Sequence, residues 1–148
     1  MNNFKSFAKK TVDNSTGLLF MQVYNRWHTQ VKNELKEYEI THPQFVVMAS
    51  IGYLLQTEKE ITQIMISTIS EIDVMSVSQI LKLLEKKGLI IKKAHTSDTR
   101  ANAISLTTYG SDKLKETLPV VESVDTLFFS KLNNSEEDFI NLLKKLND

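Results

Sequence analysis

Residues 61–93 read ITQIMISTISEIDVMSVSQILKLLEKKGLIIKK, and they predict two short helices that follow each other closely. Thr62 opens the first helix and Asp73 opens the second, since both residue types are favourable N-caps. In the second helix, apolar residues recur at helical spacing, and Gly88 follows where glycine commonly ends a helix. These apolar residues are Val77, Ile80, Leu81 and Leu84. Two short helices with a tight turn between them, the second amphipathic, predict a helix-turn-helix.

The hydrophobic pattern changes after Gly88. Residues 89–93 and residues 103–106 are apolar and β-branched enough to predict two strands. The polar residues 95–102 join them, so the sequence predicts a hairpin with a long exposed loop. Such a hairpin directly after a helix-turn-helix is called a wing.

Long helices are predicted on the N-terminal side. Residues 16–38 place apolar side chains three and four residues apart, which indicates one helix with one apolar face. Thr41 and Gln44 have the spacing of a capping box, and Pro43 suits a first helical turn. A second helix is therefore predicted to begin at Thr41.

The C-terminal side also predicts helices. Thr107 is a favourable N-cap for a helix over residues 108–131. Ser135 and Asp138 again have capping-box spacing, which predicts a last helix that ends near Lys145.

These elements predict a mainly α protein with a small β-hairpin, a winged helix-turn-helix with long flanking dimerisation helices. We expect three regions in one compact chain: an N-terminal dimerisation helix in residues 1–40, the winged helix in 41–107, and C-terminal dimerisation helices in 108–148. The apolar faces at both chain ends exceed what a winged helix of about 70 residues can cover, so a homodimer is expected.

The composition excludes several classes of chemistry. The chain has no cysteine, which rules out disulfides, thiolate metal sites and cysteine redox sensing. No run of about 18 apolar residues occurs, so no membrane span is expected. Met1–Lys10 carries charges without an apolar run, which does not fit a secretory leader. A cytoplasmic location is the default expectation.

The charge distribution is uneven although the formal net charge is zero. Residues 82–100, here called the basic segment, contain six basic and two acidic residues. Residues 33–81 contain two basic and seven acidic residues. A basic segment within an otherwise acidic or neutral chain predicts either a phosphate-binding patch or a solvated charged face.

The outward side of the second short helix carries residue types that recognise DNA. Glutamine can form two hydrogen bonds with adenine, serine can donate or accept, and methionine can contact a thymine methyl, whereas lysine neutralises phosphates. The candidate DNA-binding residues of this helix are Met75, Ser76, Ser78, Gln79, Lys82 and Lys86. An ordinary solvated helix face is the alternative interpretation.

The predicted wing adds a second group of candidates. Arg100 lies in the polar loop two residues after Asp98, and an arginine at a loop tip can enter a narrow minor groove. Asp98 can orient its guanidinium group by a charge-assisted hydrogen bond. A surface ion pair of little consequence is the alternative. The candidate wing residues are Lys92, Lys93, Asp98 and Arg100.

Several of these stretches together resemble the multiple antibiotic resistance regulator (MarR) family. The resemblance covers residues 40–110 without a gap. It is carried by Thr41-His42-Pro43-Gln44-Phe45, Ile61-Thr62-Gln63, Val77 through Leu84, Leu84-Glu85-Lys86-Lys87-Gly88-Leu89-Ile90, Asp98-Thr99-Arg100-Ala101-Asn102, Ile104-Ser105-Leu106-Thr107 and Gly110. The Asp-x-Arg wing followed by the Leu-Thr exit makes the resemblance specific.

The resemblance implies a homodimer that binds a palindromic operator in double-stranded DNA and acts as a repressor. Residues 73–87 would form the recognition helix, and the wing would reach the adjacent minor groove. It also implies that a small aromatic effector releases the DNA from a crevice between the first, second and fifth helices. The candidates for that crevice are Tyr24, Trp27, His28, Phe45 and Met48, although an aromatic stripe at helical spacing also fits plain core packing.

No enzyme is predicted, because the chain lacks a nucleophile elbow, a P-loop, a dinucleotide fingerprint and paired catalytic carboxylates. The three histidines are scattered without metal-ligand spacing, so neither a metal nor a cofactor is expected. Two function classes stay open. One is a transcriptional regulator. The other is a winged-helix protein-interaction module that has lost DNA binding. The neutral net charge permits this alternative. Val74 and Gln79 also permit it, because they stand where members of the family often carry arginine.

Overall fold

The computed structural model describes residues 11–148, so the expectation for Met1–Lys10 lies outside the described residues. Its α-helices and strands are α1 (Thr16–Leu35), α2 (His42–Leu54), α3 (Gln63–Ser70), α4 (Val74–Lys86), β1 (Ile90–Ala94), β2 (Asn102–Leu106), α5 (Thr108–Phe129) and α6 (Glu136–Leu146). The antiparallel strands pair Ile90 with Leu106 and Ala94 with Asn102. The predicted fold class, mainly α with a small β-hairpin wing, is confirmed.

The chain forms two compact units. Among the described residues, one unit contains residues 11–33 and Val124–Asp148, and we call it the terminal unit. The other contains Glu34–Ser123, and we call it the winged-helix unit because α2, α3, α4 and the hairpin lie in it. The winged-helix unit extends beyond the predicted region 41–107 at both ends.

The core of the winged-helix unit comes from the apolar faces of all its elements. Its fully buried side chains include Leu35, Val47, Met48, Ile51, Ile61, Ile66, Val77, Leu81, Leu84, Leu89 and Ile90. The predicted capping box at the start of α2 is present: the Gln44 amide donates to the Thr41 hydroxyl at 3.2 Å, and the Thr41 amide donates to the Gln44 side chain at 3.1 Å. These reciprocal bonds satisfy two amides that a helix N-terminus leaves without partners.

The first long helix ends earlier than predicted. Helix α1 stops at Leu35, and Lys36–Tyr38 form a 3-10 turn instead of a further α-helical turn. Glu39 adopts a left-handed conformation with φ of 58°, and its amide donates to the Lys36 carbonyl. The prediction of one helix over 16–38 was therefore wrong at its end, because hydrophobic spacing does not distinguish an α-helical from a 3-10 turn.

Gly88 joins α4 to the hairpin. Its φ of 76° lies in the left-handed region, where a side chain is strained. The Gly88 amide donates to the Glu85 carbonyl at 3.0 Å, and the Leu89 amide donates to the Leu84 carbonyl at 2.9 Å. These two bonds form a Schellman motif, which ends α4 and directs the chain into β1.

The hairpin is attached to the rest of the winged-helix unit at its base. The Ile104 amide donates to the Ile61 carbonyl at 2.8 Å, which adds a one-residue bridge beside β2 that the sequence did not predict. Thr107 caps α5 as predicted, accepting from the Gly110 amide at 2.9 Å, and its hydroxyl donates to the Gly88 carbonyl at 2.6 Å. The wing is therefore fixed to both α4 and α5.

The C-terminal helices differ from prediction in detail. Helix α5 ends at Phe129 and not at residue 131, and Asn133, with φ of 51°, interrupts the chain before α6. Helix α6 begins at Glu136, but Ser135 has ψ of 2° and makes no side-chain capping bond. The predicted capping box of Ser135 and Asp138 was wrong, because an N-cap needs extended backbone, which Ser135 does not have.

The terminal unit buries few of its apolar side chains. Val31 and Val124 are buried, and the Trp27 indole donates to Asp125 at 2.7 Å, which connects α1 to α5. Many of its large apolar residues remain well exposed: Leu18, Leu19, Phe20, Met21, Val23, Tyr24, Leu127, Ile140, Leu142 and Leu146. Many exposed large apolar side chains in one small unit are typical of an interaction face.

Candidate nucleic-acid interface

The helix-turn-helix is held by side-chain hydrogen bonds at its turn. Helices α3 and α4 meet at a bend of 114°. Glu71 ends α3 in a left-handed conformation, and the Ser67 hydroxyl donates to the Ile72 carbonyl at 2.6 Å. The Gln63 amide group donates to the Val74 carbonyl at 2.9 Å, across the turn. These bonds set the direction in which α4 leaves the turn.

Helix α4 has one buried and one exposed face. Val77, Leu81 and Leu84 are fully buried, whereas Met75 is 76% exposed. The exposed stripe of α4 consists of Met75, Gln79, Lys82 and Lys86. Its residues are spaced by four, three and four positions, so they lie on one side of the helix. Ser76 and Ser78 are half-buried on the flanks, which places all six predicted residues of this helix on or beside the exposed side.

Asp73 and Ser76 form the N-terminal cap of α4. The Asp73 carboxylate accepts from the Ser76 amide at 2.9 Å and from the Ser76 hydroxyl at 2.7 Å. These hydrogen bonds lower the pKa of Asp73 below its ordinary value. Because the Ser76 hydroxyl donates its proton to the cap, only its lone pairs are available to accept from a base.

The basic segment does not form a single surface. The Lys87 ammonium group donates to the Glu39 carbonyl at 2.7 Å and to the Gln44 side chain at 3.0 Å. Lys87 therefore ties the end of α4 to the turn before α2. Lys87 belongs to the basic segment by its position in the sequence, but its side chain contacts Glu39 and Gln44 of the same chain.

The hairpin separates its two lysines. Lys92 pairs with the buried Ile104 and Lys93 with Ala103, so the two side chains project from opposite faces. Lys92 and Arg100 line the same cavity, so they lie on the same face of the hairpin. Lys93 lies on the opposite face.

Asp98 holds Arg100 at the end of the wing. Its Oδ1 atom accepts from the Arg100 amide at 3.0 Å and from the Arg100 Nε at 3.4 Å. The Arg100 side chain is 91% exposed. The arginine is thus oriented through its backbone amide and Nε, while most of its side chain is exposed to a partner.

A cavity of about 340 Å³ joins the wing to the helix-turn-helix. It is lined by Thr62, Gln63, Ile64, Val74, Lys92, Asp98, Arg100, Ala101, Asn102 and Ile104. Three of the four predicted wing residues therefore meet the first turns of α3 and α4. The contributions of Gln63 and Asn102 were missed, because nothing local in the sequence indicates which loop faces which helix.

The aromatic candidates for a ligand crevice lie in both units. Tyr24 and Trp27 line an apolar cavity of about 440 Å³ in the terminal unit. Its other lining residues are Leu19, Phe20, Val23, Phe129, Phe139 and Leu143. The ring of His28 stacks on Tyr24, with centroids 5.6 Å apart. Phe45 and Met48 are buried in the core of the winged-helix unit. The ligand crevice remains a prediction.

Two further observations concern residues 11–148. Within this range, no group of three or more His, Cys, Asp or Glu side chains is placed to hold a metal ion. No single helix there is long and apolar enough to cross a membrane, and the one pair that matches by length and composition is the bent pair α3 and α4.

Comparison with known proteins identifies the family. Residues 36–125 match the ArnR1-like winged-helix domain family. The chain is 34% identical over 132 residues to the HTH-type transcriptional regulator YdcH of Bacillus subtilis, covering 89% of each protein. It also superposes on a MarR variant of E. coli bound to operator DNA with a TM-score of 0.78, at 23% identity, covering 88% of this chain and 91% of that one. The chain belongs to the ArnR1-like winged-helix domain family, and its fold is that of MarR.

The MarR-family fold extends over nearly the whole chain. BpsR of Bordetella bronchiseptica, whose DNA binding is regulated by 6-hydroxynicotinic acid, superposes with a TM-score of 0.83 at 22% identity, covering 94% of this chain and 97% of that one. The family match at 36–125 nearly coincides with the winged-helix unit. The resemblance inferred from the sequence is confirmed, and the protein is a transcriptional regulator with a winged-helix fold.

Proposed function

We propose that the chain binds a palindromic operator in duplex DNA as a homodimer and represses transcription. The observation that supports this most is the exposed stripe of α4 beside a wing whose Arg100 is 91% exposed and oriented by Asp98. A recognition helix enters the major groove with such a stripe, and a wing arginine enters the minor groove next to it. MarR of E. coli, which shares the fold, has been crystallised with operator DNA.

The residues of the interface have separate roles. Gln79 and Met75 contact base edges, because an amide can form two hydrogen bonds with adenine and a thioether can contact a thymine methyl. Lys82 and Lys86 lie further along the same stripe and neutralise phosphates. Arg100 adds affinity for A·T-rich flanks, where the minor groove is narrow and strongly negative.

Replacing Gln79 and Lys86 tests this division. We expect Gln79→Ala to cost about 1–3 kcal/mol at one operator position and to relax specificity there. Lys86→Ala should weaken binding to all sequences alike and reduce the salt dependence by roughly one unit of slope for each lost phosphate contact. Fluorescence anisotropy on duplexes from the DNA upstream of the gene, at several salt concentrations, measures both quantities.

The matched control for the lysine is Lys144→Ala on α6, which removes the same charge from the terminal unit. It should leave the salt slope as in the wild type. Equal effects of Lys86→Ala and Lys144→Ala would show that Lys86 contributes only net charge. If the chain binds no duplex, the alternative function, a winged-helix protein-interaction module, is favoured over direct DNA binding.

The homodimer is supported by the apolar surface of the terminal unit. Leu127 is 73% exposed and Leu142 58% exposed, and side chains of this kind are usually covered in a partner. Val121, on α5, is by contrast buried within the chain. A two-fold dimer would set its recognition helices in successive major grooves, about 34–36 Å apart.

Placing a charge on this surface should separate the protomers. We expect Leu127→Asp to sediment as a monomer at micromolar concentration, because an unpaired carboxylate in an apolar interface is strongly unfavourable. Leu55→Asp, at a residue 45% exposed just after α2, is the control and should remain dimeric. Sedimentation velocity distinguishes the two species. A wild-type chain that is monomeric under the same conditions would contradict the homodimer.

Release by a small aromatic effector is the third part of the proposal. The cavity of about 440 Å³ in the terminal unit is lined by apolar and aromatic side chains, which suit a planar aromatic ligand. Such a ligand changes DNA affinity only if it binds the DNA-free and DNA-bound conformations with different affinity.

The only tryptophan of the chain, Trp27, lies in the lining of this cavity. Titration with small aromatic acids should therefore change its fluorescence and, at the same concentrations, weaken operator binding. A fluorescence change without any loss of operator affinity would contradict release by a ligand at this cavity.

A further inference from the structure

Glu60 lies at the base of the wing and contacts its loop. It precedes Ile61, whose carbonyl accepts from the Ile104 amide of β2, so the backbone beside Glu60 is fixed to the hairpin. The Glu60 carboxylate accepts from the Thr96 amide at 3.1 Å and from the Thr96 hydroxyl. Its Oε2 atom also lies 3.8 Å from Nε2 of His95. The side chains of His95 and Glu60 are only 17% and 25% exposed.

The other side of the His95 ring organises the loop backbone. Nδ1 accepts from the Ser97 amide at 3.2 Å and from the Asp98 amide at 3.0 Å. A ring nitrogen that accepts amide hydrogens carries no proton, so the neutral tautomer has its hydrogen on Nε2, facing Glu60. The imidazole therefore connects the carboxylate to the backbone of residues 97 and 98.

Asp98 continues this series of contacts to Arg100. Its carboxylate accepts from the Arg100 amide and Nε, and its carbonyl accepts from the Ala101 amide at 3.2 Å. The His95 amide donates to the Ala101 carbonyl at 3.3 Å, which closes the loop. The 3.8 Å contact between Glu60 and His95, followed by hydrogen bonds from His95 to the backbone of Asp98 and from Asp98 to Arg100, thus connects Glu60 to the exposed arginine.

We propose that the Glu60–His95 pair is a positioning element that fixes the wing loop and thereby sets where Arg100 meets DNA. This inference rests on the proposed DNA-binding function. A carboxylate near a phosphate-binding loop opposes binding by simple electrostatics. The contacts of Glu60 account for its presence there, since they hold the loop in one conformation before DNA arrives. The Thr96 hydrogen bonds and His95 lower the pKa of Glu60 below its ordinary value.

The two effects of Glu60 on DNA affinity have opposite signs, which makes the proposal testable. Glu60→Gln removes a negative charge, so electrostatics alone predicts tighter binding. Loss of loop order predicts weaker binding, and we expect operator affinity to fall roughly 5- to 10-fold. Glu58→Gln, an exposed residue two positions earlier, removes the same charge and should bind as tightly as the wild type or slightly tighter.

Two substitutions of His95 separate the roles of its ring nitrogens. The amide oxygen of asparagine lies at nearly the same distance from the backbone as Nδ1, whereas that of glutamine reaches further, towards the place of Nε2. His95→Asn keeps an acceptor for the Ser97 and Asp98 amides but loses the group that faces Glu60, so it should lose part of the operator affinity. His95→Gln should lose about as much as Glu60→Gln.

Hydrogen exchange of the loop amides gives a readout that needs no DNA. In the full-length protein, Glu60→Gln should accelerate exchange at Thr96, Ser97 and Asp98, and Glu58→Gln should not. Faster exchange in a protein that binds no duplex would refute the proposed function while supporting the loop-fixing role. If Glu60→Gln exchanges like the wild type, or binds the operator as tightly as Glu58→Gln does, the positioning role is overturned. If Glu60→Gln does not fold, the operator affinities of His95→Asn and His95→Gln test the positioning role instead.

Discussion

Gly110→Ala should destabilise the winged-helix unit by about 3 kcal/mol or more, with a fall in the unfolding midpoint of roughly 10 °C. A Cβ atom built at Gly110 would lie 1.9 Å from the carbonyl oxygen of Leu89 and 2.9 Å from its carbonyl carbon. That oxygen also accepts from the Thr107 amide at 3.1 Å, so it cannot move away without breaking a hydrogen bond. The base of the wing and the first turn of α5 would have to separate.

Gly17→Ala is the matched control. Gly17 lies in α1, and a Cβ there would meet nothing within 4 Å. Alanine has the higher helix propensity, so this change should stabilise the protein by up to about 1 kcal/mol. Thermal unfolding followed by circular dichroism measures both variants. If the two substitutions shift the midpoint equally, the close approach of Leu89 and Gly110 does not constrain the fold.

Arg100→Ala should weaken operator binding roughly 10- to 100-fold while leaving the unfolding midpoint unchanged. The side chain is 91% exposed and forms a surface ion pair with Asp98, so its removal costs the fold little. In the minor groove, however, the guanidinium group would be surrounded by phosphates and base acceptors. The effect on binding should therefore be large compared with the effect on stability.

Arg100→Lys and Lys115→Ala separate geometry from charge. Lysine keeps the charge but lacks the planar fork of donors, so Arg100→Lys should recover only part of the affinity. Lys115 is exposed on α5, and its replacement removes one positive charge at a residue outside the wing. If Arg100→Ala binds the operator with wild-type affinity in anisotropy titrations, the wing is not part of the DNA interface.

The helix boundaries of the winged-helix unit could be predicted because their signals are local. Thr62 and Asp73 each accept from a backbone amide three residues later, as their positions predicted. Gly88 ends α4 through hydrogen bonds within six residues. Where a cap depends on backbone conformation instead of residue type, as at Ser135, the prediction failed.

The composition of the candidate interface could be predicted only in part, because residues distant in sequence determine it. Spacing alone placed Gln79 and Lys82 on the exposed side of α4. It could not show that Lys87 turns towards Glu39, 48 residues earlier, nor that Lys93 projects from the opposite face to Lys92. The contact of Glu60 with Thr96 spans 36 residues and had no signal in the sequence.

The exposed stripe of α4 and the wing should together recognise a specific duplex. The most direct test compares the chain's affinity for a labelled duplex from the DNA upstream of its gene with its affinity for a shuffled duplex of the same length, at physiological salt. We expect the upstream duplex to bind at least roughly 10³-fold tighter, with two protomers on each duplex. Equal affinity for the two duplexes, or no binding to either, would contradict specific DNA recognition by this chain.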